Sequence, residues 1–302
     1  MSSKKFIIQV VGPTAVGKTS LAITLAKHFK TEIISFDSRQ CYQELRIGVA
    51  RPLEEELSEV KHYFIASHSI HEPLNAAWYE EYALQLTKNL FETHQVIVMV
   101  GGTGLYWNAF AKGMDPLPAI DPSIRAALVS NYEKNGMDWL VATLLEKDPV
   151  FAVAGEMKNP QRMLRALEVV TATGQSILQY RNQEKQVRDF TVISIGIELP
   201  RQELVERIHT RVDLMMEQGL LEEVKLLLPF ASLNALQTVG YAELFAYLNQ
   251  EISLTEAVEK IKINTRQYAK RQMTWFKRDP ATTWFSPGAS QEVLQLIAEK
   301  LR

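Results

Sequence analysis

Several short stretches of the chain are apolar at nearly every position. Phe6–Val11 reads FIIQVV, residues 33–36 read IISF, and residues 95–100 read QVIVMV. Runs this short and continuous predict strands buried on both faces. The segments between them carry apolar residues at helical spacing instead: Lys18–Phe29 (KTSLAITLAKHF) and residues 79–94 (YEEYALQLTKNLFETH). HYFIAS, from His62, is a further strand candidate. Strand–helix alternation of this kind predicts a parallel sheet whose loops gather along one edge.

Past residue 115 the pattern changes. A Pro- and Asp-rich joint, MDPLPAIDPS, leads into helical periodicity without strand signals through residue 189. FTVISIGIELP, residues 190–200, is strand-like again, so the helical block reads as an insertion after which the sheet resumes. The expected organisation is an α/β core from residues 1–120 and 190–302, with a helical insertion domain at 121–189. From Arg201 onward the periodicity is helical up to TTWFSP, a last short strand candidate. There is no internal repeat and no low-complexity segment.

Composition narrows the partners. Hydrophobic residues make up 46% of the 302 positions, enough for a full core, and the formal net charge is −2. Any nucleic-acid surface must therefore be a local patch. A single cysteine, Cys41, cannot form an internal disulfide, which suits a reducing cytosol. The first apolar run is too short for a signal peptide, and no run of 18 apolar residues exists. A cytoplasmic protein without a membrane span, monomeric by default, is the expectation.

The first strand runs into Gly12-Pro13-Thr14-Ala15-Val16-Gly17-Lys18-Thr19, a phosphate-binding loop pattern in its required strand–loop–helix setting. Its glycines let successive N–H groups point inward, and the following helix adds its positive end. Lys18 supplies a point charge to phosphate oxygens, and the Thr19 hydroxyl suits a magnesium ion. An acid ending the buried QVIVMV strand, usual where such loops hydrolyse nucleotides, is replaced by Gly101-Gly102-Thr103-Gly104. The nearest acid at a strand end is Asp37, after IISF. That position suits proton abstraction from an acceptor, although an Asx-turn is the plainer role. Thr103 is either a helix cap or a hydrogen-bonding group in the site.

Two segments are locally basic. Lys158, Arg162 and Arg165 fall at i, i+4 and i+7, one face of an expected helix. Lys262 to Arg278 carries six basic residues and no acid, with Tyr268, Trp275 and Phe276 interleaved. Such a stripe fits phosphate contacts, and its aromatic residues suit base stacking or the core. Arg207 and Arg211, four apart, are either surface ion pairs or a grip on a diphosphate oxygen. His62, His68 and His71 have no zinc spacing, and nothing marks Cys41 as a nucleophile.

GPTAVGKTSLA, SFDSRQCY, IGVARP, GGTGLY, NPQRMLRALEV, RVDLMMEQGLLEEV, QTVGYAE and TRQYAKRQMTWF together resemble the bacterial tRNA dimethylallyltransferase family, in order and spacing over nearly the whole chain. The resemblance implies transfer of a dimethylallyl group from dimethylallyl diphosphate to the exocyclic amine of the adenosine 3′ of the anticodon, with Mg2+. It implies a P-loop parallel sheet core flanked by helices, and a channel where donor and base meet from opposite ends. It assigns Gly12, Pro13 and Thr14 to Thr19 with Arg211 to the diphosphate, Thr19 to the metal, and Asp37 and Thr103 to catalysis. Contacts with a tRNA anticodon stem-loop would come from Asp37, Ser38, Arg39, Gln40, Thr103 and Arg125. Gln161, Arg162, Met163, Leu164 and Arg165 would add to them, as would Gln237, Thr238, Val239, Gly240, Tyr241, Ala242, Lys270 and Arg271. Phe36, Val49 and Gly155 to Asn159 depart from the family's usual residues. Three other readings stay open on the residues alone: a small-molecule P-loop kinase, a prenyltransferase acting on free AMP, and a non-catalytic P-loop RNA-binding module.

Overall fold

The computed structural model describes residues 4–181 and 186–302. Six strands form one parallel sheet: β1 (Phe6–Val11), β2 (Ile33–Ser35), β3 (His62–Tyr63), β4 (Val96–Val100), β5 (Thr191–Ile197) and β6 (Thr283–Phe285). Their spatial order is β3-β2-β4-β1-β5-β6. β1 lies between β4 and β5, its Val10 opposite Val100 and Ile195. β2 pairs with β4 on the far side, Ser35 opposite Val100. The β1, β2 and β4 ends are thus level, and the segments that follow them emerge side by side. FTVISIGIELP does return to the sheet beyond the helical block, as β5.

Helices connect and follow the strands. They are α1 (Lys18–Phe29), α2 (Glu54–Glu59), α3 (Ala76–Leu90), α4 (Gly104–Lys112), α5 (Pro122–Lys147), α6 (Pro149–Ala154), α7 (Pro160–Thr173), α8 (Arg201–Glu217), α9 (Leu220–Leu227), α10 (Tyr241–Leu248), α11 (Leu254–Phe276) and α12 (Ser290–Leu301). Alternate β1 residues feed two cores. Ile7 and Val11 join Phe36, Tyr79 and Trp107 on one face, while Phe6, Ile8 and Val10 join Leu25, Ile33 and Ile297 on the other. Gln9, the polar exception inside the run, is satisfied within the sheet. It accepts a 2.6 Å hydrogen bond from the Ser194 hydroxyl, which also meets the Thr282 hydroxyl at 2.9 Å.

Met1–Lys112 with Val187–Arg302 form one compact unit, and Gly113–Gln186 form a second. The second holds helices and loops but no strand among its described residues. α5 breaks at Gly136, where φ is +74°, and Leu140, Leu144, Phe151, Met163, Leu164 and Leu167 make its core. Asn159 caps α7 by accepting from the Gln161 and Arg162 amides, with Pro160 at the first helical position. Lys158 lies before that helix, so the three-residue basic face expected from Lys158, Arg162 and Arg165 does not form on one helix.

Phe36 is fully buried and packs against Trp107 at 5.5 Å between ring centroids. A Cβ on Gly101 would come within 2.6 Å of its ring, so the neighbouring glycine leaves the space that this large residue needs. The Tyr79 hydroxyl, also fully buried, donates to the Ser35 carbonyl at 2.8 Å and anchors the end of β2 to α3. Tyr79→Phe strands that carbonyl and should lower the unfolding free energy by about 1–2 kcal/mol. Urea titration checks it, and an unchanged midpoint would mean that the carbonyl finds another partner.

Candidate active site

The loop after β1 is shaped by three positive φ angles: Gly12 at +146°, Ala15 at +67° and Gly17 at +97°. Gly12 admits no side chain, since a Cβ there would approach the Ile197 carbonyl oxygen to 2.4 Å. Ala15 is a non-glycine residue in the left-handed region, which costs on the order of 1 kcal/mol. Packing compensates, because Ala15 is buried against Leu204 and Ile208 of α8 and Ala269 of α11. Gly17 caps α1, which aims the N–H groups of its first turn at the loop.

The loop's cations differ in setting. The Lys18 ammonium donates to the Pro13 carbonyl at 2.7 Å. Burial lowers its pKa from 10.5 to about 8, the Asp37 carboxylate opposes that shift, and Arg211 adds to it. Arg211 Nη1 donates to the Thr14 hydroxyl at 3.3 Å. Arg207 stays on the helix surface, paired with Glu203 at 2.8 Å. Of the two arginines four apart, one serves the loop and the other is an ordinary helix pair.

Asp37 takes up the plainer of the two arrangements that its position allowed. Oδ1 accepts from the Arg39 amide at 2.9 Å and the Gln40 amide at 3.3 Å, an Asx-turn. Oδ2 has no hydrogen bond among the described residues. Thr103 braces the same turn from the β4 side. Its Oγ1 accepts from the Ser38 amide at 3.0 Å and donates to Ser38 Oγ at 3.2 Å. Tyr268 of α11 faces the same turn, its hydroxyl close to Gly102. Burial, with the Asp37 charge adding to it, pushes that phenol's pKa well up, so it remains a donor.

A cavity of about 540 Å³ opens over this turn. Ser38 and Arg39 line it from one side, Gly102 to Leu105 from the floor, and Gln237, Thr238, Val239, Ala242 and Glu243 from another. Tyr268, Arg271, Gln272 and Trp275 of α11 close it. The volume and the aromatic and hydrogen-bonding walls suit a nucleobase.

A family profile described as IPP transferase matches residues 40–279. A tRNA dimethylallyltransferase of Flavobacterium johnsoniae is 45% identical across 99% of both chains. A second, from Bacteroides thetaiotaomicron, is 43% identical over 96% of this chain and 94% of its own. Among solved structures, the tRNA isopentenylpyrophosphate transferase of Bacillus halodurans superposes with a TM-score of 0.73 at 34% identity, covering 99% of this chain and 97% of that one. A eukaryotic dimethylallyltransferase acting on tRNA shares the fold at 24% identity, with a TM-score of 0.79. The chain belongs to the IPP transferase family.

Within this transferase the residues named from sequence divide clearly. Ser38, Arg39, Thr103, Gln237, Thr238, Val239, Ala242 and Arg271 border the cavity. Gln40 does not; its carboxamide is bound to the Val49 and Ala50 carbonyls. Gly240 is held through its amide by Glu243, and Lys270 is exposed outside the cavity. Arg125, Gln161, Arg162 and Arg165 sit in the helical unit, where buried Glu168 binds Arg125 at 3.0 Å and Arg165 at 2.8 Å. Arg162 pairs with Glu156 at 3.5 Å.

Three expectations are corrected. Met163 and Leu164, grouped with the RNA-facing residues, are buried core of the helical unit and present no surface. Tyr241 is likewise fully buried, its hydroxyl on Glu223 at 2.5 Å. Lys262, counted in the basic stripe, is occupied by Asp213 at 2.8 Å and Glu259 at 3.4 Å. Pattern alone did not single out Gln272, Leu105 or Glu243 as site residues. The nearest signal was the density of polar and aromatic residues in KRQMTWF.

No group of three or more His, Cys, Asp or Glu among the described residues is arranged to hold a metal. Thr19, in the first turn of α1, is half-buried, and its hydroxyl makes no hydrogen bond among the described residues. It fits the role of a single protein ligand to a hard cation whose other ligands are diphosphate oxygens and water.

With the Lys18 ammonium titrating near pH 8, kcat/KM for a diphosphate substrate should fall as the pH rises through about 8. The sign follows from charge, because the protonated form attracts the anion and the neutral amine does not. Lys18→Arg, slower at its optimum, should lose that alkaline limb. A pH–rate profile that keeps the limb in the arginine variant would assign it to another group.

Proposed function

We propose that this chain transfers the dimethylallyl group of dimethylallyl diphosphate to the exocyclic N6 amine of the adenosine immediately 3′ of the anticodon in tRNA. The products are N6-isopentenyladenosine and diphosphate. One observation carries the reading: a phosphate-binding loop stands beside an Asp37 turn braced by Thr103, and that turn borders a cavity of nucleobase size. The bond that breaks is carbon–oxygen, so the loop holds a leaving group rather than a phosphoryl group under attack.

Lys18, Arg211 and the loop amides stabilise the negative charge gained by the departing diphosphate. A divalent cation at Thr19, which we read as Mg2+, would add Lewis-acid stabilisation of the same charge. The adenine amine is a weak nucleophile because its lone pair is delocalised into the ring. It becomes acidic as the new C–N bond forms, and the free Oδ2 of Asp37 takes its proton. Thr103 holds the turn, and the lone pair left on its hydroxyl oxygen accepts from the amine. Tyr268 and Trp275 give aromatic walls for a base turned out of the anticodon loop, and Arg271 supplies charge for its backbone.

Purified protein with dimethylallyl diphosphate and Mg2+ should convert an unmodified anticodon stem-loop to a prenylated product seen by nucleoside mass spectrometry. Modification of free AMP but not of the stem-loop would replace this reading with adenylate prenylation. Productive use of ATP on a small hydroxyl acceptor would replace it with a kinase.

Asp37→Asn keeps the Oδ1 acceptor of the Asx-turn and removes the base. It should lower kcat by roughly 10²–10⁴-fold while stem-loop affinity stays within a few-fold. Equal losses in both, from single-turnover rates and binding titration, would make Asp37 a binding residue only.

A further inference from the structure

Gln272 lies on α11, 4% exposed, and its one carboxamide joins the two halves of the site. Oε1 accepts from the Thr14 amide of the phosphate loop at 2.8 Å. Nε2 donates to the carbonyl of Gly102 at 3.1 Å. Both partners are backbone groups, one only a donor and the other only an acceptor, so the orientation of the carboxamide is fixed by chemistry. No other side-chain hydrogen bond among the described residues links the phosphate loop to the Gly102–Thr103 turn directly.

The surroundings fit a strut. Thr14 precedes Ala15, whose left-handed backbone is held by α8 and α11 packing from outside. Arg211 binds the Thr14 hydroxyl on the same residue. Gly102 precedes Thr103, which fixes the Asp37 turn through the Ser38 amide. A Cβ on Gly102 would lie 2.1 Å from Gln272 Nε2, so α11 approaches this turn directly, with no side chain between. Trp275, one turn along, meets Gly104 in the same way at 2.1 Å.

We propose that Gln272 is a positioning residue that sets the spacing between the diphosphate cradle and the Asp37–Thr103 acceptor turn. The proposal rests on the transferase reading above. Reaction between two bound substrates depends on their alignment, and a displacement near 1 Å can cost about 10²-fold in rate. Losing the strut leaves each half able to bind its own substrate but no longer held in register with the other.

Gln272→Met keeps volume and removes both hydrogen bonds. Its single-turnover rate at saturating substrates should fall about 10–100-fold, with the separate dissociation constants for diphosphate and for the stem-loop within about threefold of wild type. A rate unchanged from wild type, or a loss fully explained by weaker diphosphate binding, overturns the proposal. A second route does not depend on that variant folding well. Gly102→Ala pushes on the carboxamide, and Gln272→Ala makes room for the added methyl, so the double variant should be no slower than Gln272→Ala alone. Strictly multiplicative losses would show that the two residues act independently. All these readouts are ratios to wild-type rate, whereas absence of prenylation by wild type would sink the transferase reading itself.

Discussion

Parallel pairing of β2, β4 and β1 is the constraint from which the site follows. With Ser35 opposite Val100, and Val100 opposite Val10, three chain segments leave the sheet at one level. They are the phosphate loop, the Asp37 turn and the Gly101–Gly104 turn. β4 lies between β1 and β2, so the cradle and the carboxylate are two strand spacings apart, roughly 10 Å. That gap suits a reaction whose leaving group and nucleophile sit on opposite sides of one small carbon chain. A phosphoryl transfer would instead bring the acceptor against the phosphate itself. The glycines after the middle strand have a closer cause, because a Cβ on Gly101, Gly102 or Gly104 would strike Phe36, Gln272 or Trp275.

The charges around the loop act as a set. Burial weakens the hold of Lys18 on its proton, Arg211 weakens it further, and Asp37 strengthens it. A bound diphosphate would strengthen it too, and so favour the charged lysine. Asp37 uses one oxygen for structure and keeps the other free. The Asx-turn that looked like the uninteresting alternative is what orients the free oxygen, since two amides on Oδ1 fix the plane of the carboxylate. The turn and the base role proposed for this residue use different oxygens of one carboxylate.

How much of this the sequence carried depended on range. The phosphate loop, the strand runs and the acid at the β2 end are local, set by residues a few positions apart, and they were legible. Arg211 against Arg207 was not legible in the pattern and came only from the family resemblance, because spacing does not say which of two arginines on one helix faces a loop far away in sequence. Met163, Leu164 and Tyr241 sit inside motifs that resemble RNA-contacting segments, yet every helix that presents some residues to a partner must bury others. Gln272 meets its loop partner across 258 positions of chain. No periodicity announces such a contact, and a glutamine among lysines and arginines reads as surface until α11 is seen to pass over two glycine turns.

The basic stripes make the same point about charge. Counting lysines and arginines overstates what a helix offers an anionic partner, because the fold supplies acids from elsewhere. Lys262 is taken by Asp213 and Glu259, and Lys277 by Glu198 at 2.7 Å. Arg271 and Arg278 lie 5.8 and 5.9 Å from the rings of Tyr268 and Trp275, so on this helix cation and aromatic residue come as pairs. A pair of that kind offers a stacking face and a charge together, which suits a nucleotide better than a bare phosphate. In the helical unit, Glu168 holds Arg125 and Arg165 by one edge each while both side chains stay partly exposed, 44% and 38%. A buried carboxylate there lowers the net charge but fixes two guanidinium groups in place. An arginine already fixed loses less conformational entropy on meeting RNA than a free one does, so neutralising part of the patch is compatible with using it.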